Sequence, residues 1–198
     1  MTTLRRLLPL TALFTLVALL SGCGINNIPT YDEQVKAAWS QVENQYQRRA
    51  DLVPNLVETV KGYAKQEKDV LTEVTEARSR VAQMQIPKDI LTNHEAFQQF
   101  QKNQAALSGA LSRLLVTVER YPDLKSNQNF LTLQSQLEGT ENRIAVARRD
   151  YIQAVQRYNT ELRTIPGRWW ASMLYPDARV KENFTATEGA EKVPQVKF

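Results

Sequence analysis

The stretch RRADLVPNLVETVKGYA, residues 48–64, decides how this chain folds, because it places a proline inside a pattern that otherwise predicts helix. Apolar residues at helical spacing lie on both sides of Pro54. A proline in a helix interior removes a backbone hydrogen bond and costs about 3 kcal/mol. The chain therefore forms either one kinked helix here or two helices that meet near Asp51.

Segment lengths favour two helices. A helix over residues 51–84 is about 51 Å long and one over residues 92–121 is about 45 Å long, so the two match if a helix starts at Asp51. Asp51 is a good N-cap, and Pro54 then takes the third helical position, where its missing N–H costs nothing. A single kinked helix would leave residues 32–50 with an unpaired apolar stripe. We therefore predict a helix break at Asp51 and Pro54.

The first residues resemble a bacterial lipoprotein signal. A basic pair, Arg5 and Arg6, precedes an apolar run over residues 7–20, and Leu20-Ser21-Gly22-Cys23 resembles a lipobox. Cys23 is the only cysteine of the chain, so we expect it to be lipidated after cleavage of the signal peptide, residues 1–22. The alternative is an uncleaved, single-span signal anchor in the inner membrane, for which the apolar run is short against a span of roughly 20 residues.

Charge and the residue after the cysteine bear on location. Loss of Arg5 and Arg6 lowers the formal charge from +4 to +2, and no run of five like charges remains, so nothing indicates a nucleic-acid partner. Gly24 stands where an aspartate would, in enteric lipoproteins, favour the inner membrane. We expect a lipoprotein of the cell envelope, on the outer membrane and facing the periplasm in a Gram-negative cell.

The rest of the chain predicts helices. We assign residues 23–31 to the lipid anchor and a linker, residues 32–176 to a helical domain, and residues 177–198 to a tail. Apolar residues recur in steps of three and four, which is the spacing of one helix face, with one skipped position at Glu67. These apolar seams run over residues 35–46, 53–81, 97–121 and 130–165.

Capping signals complete the predicted fold. Thr92 and Glu95 are spaced as a capping box, Ser126 is placed as an N-cap, and a short helix over residues 168–176 follows the stop at Pro166-Gly167. We predict an all-α fold: an antiparallel up-and-down four-helix bundle with long helices, preceded by a cleaved signal peptide and followed by a short C-terminal helix and a tail.

Two blocks of the sequence resemble a known family. AWSQVENQYQRRADLVPNLVETVKGYA (residues 38–64) and YPDLKSNQNFLTLQSQLEGTENRIAVARRDYIQAVQRYN (residues 121–159) are similar to signature segments of the LemA family of bacterial membrane-associated proteins. The resemblance implies an antiparallel bundle of four helices and no established enzymatic activity. Members of that family usually begin with a transmembrane helix, whereas a lipobox stands here, so their membrane topology is not carried over.

The residue types needed for catalysis are mostly missing. His94, placed near the start of a predicted helix, is the only histidine, so neither a di-metal centre nor a nucleophilic triad can be assembled. The chain contains no phosphate-binding glycine motif. We expect no enzyme, no metal, no cofactor and no small-molecule substrate.

Several charged residues fall on or beside the apolar seams. Arg49 and Glu67 occupy core positions, and Glu141, Arg148 and Arg149 border the last seam. They either lie at the edge of the bundle with packed stems and solvated heads, or form an ion-pair network that fixes the register of the helices.

The segment RWWASMLYP, residues 168–176, is the main surface candidate. It either plugs the end of the bundle or contacts lipid headgroups or a partner, since tryptophan favours such interfaces. A break at Pro54 would place these side chains at the membrane-proximal end, and a kink would place them at the far end. The candidate contact residues are Arg168, Trp169, Trp170, Met173 and Tyr175.

The sequence thus predicts a protein that acts by binding. The first hypothesis is a membrane-anchored scaffold or adaptor that binds another envelope protein. The alternative is a membrane-remodelling or envelope-stress module that contacts the bilayer through Trp169 and Trp170.

Overall fold

A computed structural model describes residues 24–185 of the chain, and within that range it contains six α-helices and no strand. The prediction of an all-α fold is therefore confirmed. The predicted signal peptide, residues 1–22, and the lipidation site Cys23 lie outside the described residues, as do residues 186–198. In chain order the helices are α1 (Asn27–Tyr63), α2 (Lys68–Gln83), α3 (His94–Val118), α4 (Pro122–Lys125), α5 (Gln128–Arg163) and α6 (Gly167–Leu174).

Helix α1 passes through Pro54 without interruption, so the predicted helix break at Asp51 and Pro54 is wrong. Pro54 has no N–H to donate to the carbonyl of Ala50, one turn earlier. That carbonyl instead accepts a hydrogen bond from Arg78 Nε of α2 at 3.3 Å. The neighbouring helix supplies the donor that the proline lacks, and Asp51 is an exposed residue that accepts a hydrogen bond from Gln47.

The chain turns between Tyr63 and Lys68 instead. The N–H of Ala64 donates to Val60 at 2.8 Å, and the N–H of Glu67 donates to Ala64 at 3.1 Å, which closes a tight turn. The skipped seam position at Glu67 coincides with this turn. Helix α1 also begins at Asn27, inside the predicted linker over residues 23–31.

Helices α1 and α5 lie antiparallel along their whole length. At one end, here called the proximal end, Asn27 Nδ2 donates to Glu161 Oε1 at 3.2 Å. At the distal end, Asn127 Nδ2 donates to Tyr63 Oη at 2.9 Å. This pair is the frame on which the other helices pack.

Helices α2 and α3 cover only part of this frame. Helix α2 runs back from the distal end with Glu73 paired to Arg113 of α3, and α3 runs in the same direction as α1. Helix α2 has 16 residues against 37 in α1, so four long helices of matched length are not what residues 24–185 form. Two predicted caps are also wrong, because Asn93 caps α3 in place of Thr92 and Asn127 caps α5 in place of Ser126.

An extended segment, residues 178–185, fills the proximal half that α2 does not reach, and we call it the strap. Asn159 holds its backbone at both Lys181 N (2.8 Å) and Lys181 O (2.9 Å), and the N–H of Glu182 donates to Leu91 O at 2.7 Å. Phe184 packs among aromatic side chains of the core. The first part of the predicted tail, residues 177–198, is thus part of the folded domain.

The apolar core has two clusters, one at each end of the bundle. The distal cluster is formed mainly by aliphatic residues of α1 to α5, with Leu107, Leu114 and Leu124 at its centre. The proximal cluster is aromatic, and the ring of Trp39 lies 5.0 to 5.6 Å from the rings of Phe97, Phe100 and Tyr151. Burial of these rings stabilises the half in which helical packing is incomplete.

Candidate functional site

A buried arginine lies between the two apolar clusters. The side chain of Arg49, on α1, is 1% exposed, and its guanidinium bonds residues of two other helices, α3 and α5. Nη1 donates to Ser108 Oγ at 2.6 Å and to Glu141 Oε1 at 3.0 Å, and Nη2 donates to Gln104 Oε1 at 2.6 Å and Gln104 O at 3.1 Å. Charge-assisted bonds of this kind offset the cost of burying the cation.

The structure brings only two of the five candidate network residues together. Arg49 and Glu141 form an ion pair whose carboxylate is 43% exposed. Glu67 lies at the distal end with Arg120 and Tyr121, Arg148 stacks on Phe184, and Arg149 pairs with Asp150. Gln104 and Ser108 complete the shell around Arg49. They were not predicted because uncharged seam residues give no electrostatic signal.

A groove of about 700 Å³, lined mainly by polar residues, lies on the face between α3 and α5. Arg148 forms part of its wall, with its guanidinium 4.4 Å from the ring centre of Phe184. Glutamine side chains offer both donors and acceptors, as an extended polypeptide requires. The lining residues are Tyr46, Glu95, Gln98, Gln99, Gln101, Lys102, Gln104, Ala105, Arg148, Phe184 and Thr185.

This groove was not predicted from the sequence, although a signal for it exists. The first turns of α3 carry an exposed polar face rich in glutamine, visible in the stretch FQQFQKNQ, residues 97–104. The groove also needs the strap, which contributes Phe184 and Thr185. The strap has no helical periodicity, so its place beside α3 does not follow from a pattern.

The described chain offers little for metal chemistry. His94 Nδ1 lies 2.9 Å from Glu182 Oε2, and its Nε2 lies 2.8 Å from Gln98 Nε2, so the histidine ties the strap to α3. Among residues 24–185, no three histidine, cysteine, aspartate or glutamate side chains form a group that could hold a metal ion.

An ion pair fixes the strap to α1. Lys181 Nζ lies 2.7 Å from Asp32 Oδ1, and Lys36 Nζ lies 2.8 Å from Asp32 Oδ2. Burial alone would raise the pKa of Asp32, but the hydrogen bonds and charges of the two lysines outweigh it and hold that pKa below its ordinary value.

An exposed apolar stripe lies at the proximal end. It consists of Ile165, just before α6, and of Trp169 and Met173, one turn apart on α6, and these side chains are 66%, 56% and 72% exposed. Trp170 instead packs against the proximal cluster, so the two tryptophans have different environments. The helix starts close to α5 because Gly167 is small: a Cβ there would lie 2.2 Å from Glu161 O.

The position of α6 corrects the orientation argument made from the sequence. Tyr175 Oη donates to Ile25 O at 3.2 Å, so α6 lies beside the start of the described chain. An uninterrupted α1 was expected to send the tryptophans to the far end. That expectation is wrong because the chain turns after Tyr63, so α5 still returns to the proximal end. Arg168 is exposed on the same helix.

The described helices contain no stretch of the length and apolarity needed to span a bilayer.

Comparison with known proteins gives one family and a small set of relatives. Residues 38–198 match the model of the LemA family. Magnetosome proteins MamQ 2 and MamQ 1 of Paramagnetospirillum magneticum are each 26% identical over 165 residues, which covers 74% of this chain and 60% of the relative. Protein LemA of Metamycoplasma hominis is 21% identical over 139 residues, covering 70% of this chain and 59% of the relative. The chain thus spans about 60% of the length of these relatives.

Proposed function

Since the chain belongs to the LemA family, we propose that it is a membrane-associated, non-enzymatic scaffold or adaptor that binds another envelope protein. The groove of about 700 Å³ between α3 and α5 is the observation that carries this proposal. Its glutamine amides, Glu95 and Lys102 suit the backbone and polar side chains of a polypeptide. Lipidation of Cys23 anchors the protein in the cell envelope, with the bundle on the periplasmic side.

The groove has a firm base on which to bind. Arg49 ties α1 to α3 and α5 directly behind it, and Gln104 belongs both to the arginine shell and to the groove wall. A partner therefore meets a surface whose shape is set before binding, which lowers the entropy cost of association.

Site-specific photo-crosslinking in living cells tests the scaffold proposal. A photo-reactive residue is placed in the full chain at Gln98 or Lys102, both exposed on the groove wall. We expect a reproducible adduct of one protein from each position.

The matched controls for this experiment are Ser112 and Val116, which are exposed on the same helix outside the groove. Adducts that occur equally from the control positions, or no adduct from the groove positions, would contradict the proposal.

A second function is favoured by the exposed stripe of α6: direct contact with the bilayer, as in a membrane-remodelling or envelope-stress module. Trp169 and Met173 are exposed on α6, and Tyr175 directly after that helix contacts Ile25, two residues from Cys23. Tryptophan at a membrane surface places its apolar ring among the acyl chains and its N–H in the headgroup layer.

Fluorescence quenching tests this contact. The full chain is reconstituted into phosphatidylcholine vesicles whose acyl chains carry bromine, a short-range quencher of tryptophan. We expect the wild type to lose more fluorescence than the Trp169→Phe variant. Trp39 is buried and Trp170 packs against the core, so Trp169 is the informative position. Equal quenching of the two proteins would exclude the contact.

A further inference from the structure

Three arginines at the proximal end have no ion-pair partner in the described chain. At the distal end Arg120 pairs with Glu67 at 3.0 Å and Lys125 pairs with Glu119, although Lys65 and Lys68 there form no ion pair with a described residue. At the proximal end Arg163, Arg168 and Arg179 are exposed, and none of them forms an ion pair with a described residue. The proximal arginines are therefore available to an external anion.

The same end concentrates exposed apolar surface. Ten large apolar side chains are exposed among the described residues, and five of them lie between positions 165 and 180. Residues 162–180 contain one acidic residue, Asp177, and the three arginines. The exposed apolar side chains and the unpaired arginines thus lie in the same short segment of the chain.

The distance of this surface from Cys23 indicates which molecule binds it. Helix α1 begins at Asn27, and at about 3.3 Å per residue the chain from Cys23 to Asn27 reaches no further than roughly 13 Å. Tyr175 contacts Ile25, so α6 lies within the same short distance of the lipidation site. A lipid anchored at Cys23 brings a bilayer, in preference to a protein partner, against this face.

We infer that the α6 end binds anionic phospholipids, with Arg163, Arg168 and Arg179 contacting headgroup phosphates and the stripe of Ile165, Trp169 and Met173 entering the acyl boundary. This inference rests on the bilayer contact proposed above and adds the class of lipid. Arginine suits the role because its guanidinium bonds phosphate oxygens in pairs. Charge complementarity distinguishes anionic from zwitterionic lipid at this surface.

The test compares two brominated lipids with the full chain in vesicles. A minority of brominated phosphatidylglycerol or of brominated phosphatidylcholine is placed in the same mixed background, and quenching that depends on Trp169 is measured. We expect stronger quenching by phosphatidylglycerol in the wild type. The triple variant Arg163→Gln, Arg168→Gln, Arg179→Gln should lose that preference, by roughly fivefold in lipid affinity for each arginine.

A control variant removes the same charge elsewhere. Arg48→Gln, Lys65→Gln, Arg80→Gln changes three exposed cations away from α6 and should keep the wild-type preference. Equal loss in both triple variants, or equal quenching of the wild type by both lipids, would overturn the lipid preference while the contact itself remains measurable. If neither lipid quenches Trp169, the underlying bilayer contact fails, and this inference fails with it. A protein adduct captured from position 168 in place of lipid quenching would also overturn it.

Discussion

At the scale of the residue, Arg49 shows how one buried charge sets the register of three helices. Its partners Gln104 and Ser108 are one turn apart on α3, and Glu141 lies on α5. A slide of α3 by one helical turn, about 5.4 Å, would carry one of these two partners out of reach and put the other in its place. The arginine therefore favours one alignment of helices over alternatives with similar apolar burial.

We predict that Arg49→Lys destabilises the protein by about 3 kcal/mol, because a single ammonium cannot reproduce the forked bonds and remains buried. Urea unfolding of the two proteins measures the difference. Arg48→Lys is the matched control, since Arg48 is exposed and should change stability by less than about 0.5 kcal/mol. A loss at position 49 no larger than at position 48 would show that the bonds around Arg49 carry no net stability.

At the scale of the element, α1 shows which features a sequence predicts and which it does not. Helical periodicity is local, so the all-α class and the seams were predicted from it. The carbonyl that Pro54 leaves free in α1 accepts its hydrogen bond from Arg78, which lies on another helix. No pattern within residues 48–64 contains that information. The sequence could not tell the exposed contact residues of α6 from the packed ones, because Trp169 and Trp170 are the same residue type and differ only in burial.

A double-mutant cycle tests the role of Arg78. Arg78→Met should cost about 1 kcal/mol in the wild type, since it leaves the Ala50 carbonyl without its donor. The same change should cost less with Pro54→Ala, because the alanine N–H restores the backbone bond. Thermal unfolding of the four proteins gives the coupling, with Arg80→Met as an exposed control. Additive effects would mean that the Arg78 bond does not compensate for the proline.

The attachment of the strap should weaken at low pH. Lys181 and Lys36 hold the pKa of Asp32 below its ordinary value of 3.8, so the ionised form is favoured in the folded chain. This contribution is present above pH 3.8 and is lost as the pH falls through the lowered pKa. We expect faster hydrogen exchange at the Glu182 amide as the pH is lowered below 4, after correction for intrinsic exchange. Asp32→Asn should release the strap already at neutral pH.

Glu33→Gln is the control for that measurement, because Glu33 also pairs with Lys36 but is exposed and does not contact the strap. If Asp32→Asn and Glu33→Gln give the same exchange at Glu182, the ion pair to Lys181 does not hold the strap.

At the scale of the whole molecule, the two clusters divide the bundle into an aliphatic distal half and an aromatic proximal half. Helices α1 to α5 enclose the distal half, whereas the strap and α6 complete the proximal half. The seams predicted most residues of both clusters, but Ile28, Ile90, Leu91 and Leu124 lie outside them. They did not predict the division, because that arises from the shortness of α2 and from the polar shell around Arg49.

We predict that alkaline pH opens the proximal half first. Burial raises the pKa of Tyr158 to about 12 against an ordinary value of 10, with the charge of Asp32 adding to the effect. Burial also raises the pKa of Tyr151. Because the folded pKa lies above the unfolded one, this stability is present below pH 10 and is lost as the pH rises towards 12. Amide exchange resolved by residue should show the change in the first turns of α1 before the distal core.

Tyr158→Phe removes the ionisable group and should delay proximal opening on titration. Simultaneous opening of both halves in the wild type would contradict the division into two clusters.

The length of the uninterrupted α1 also sets how far the groove and the distal turn lie from a membrane. Its 37 residues span about 55 Å, so a bundle that is anchored through Cys23 and has α1 along the membrane normal carries its distal turn about that far from the lipid surface. The groove lies level with Trp39 to Tyr46, about 18 to 28 Å from the start of the helix. A partner bound there must therefore itself project beyond the headgroup layer, and a protein confined to the bilayer plane would pass beneath the groove. In the scaffold proposed above, the uninterrupted helix through Pro54 would thus act as a spacer that selects partners by their reach.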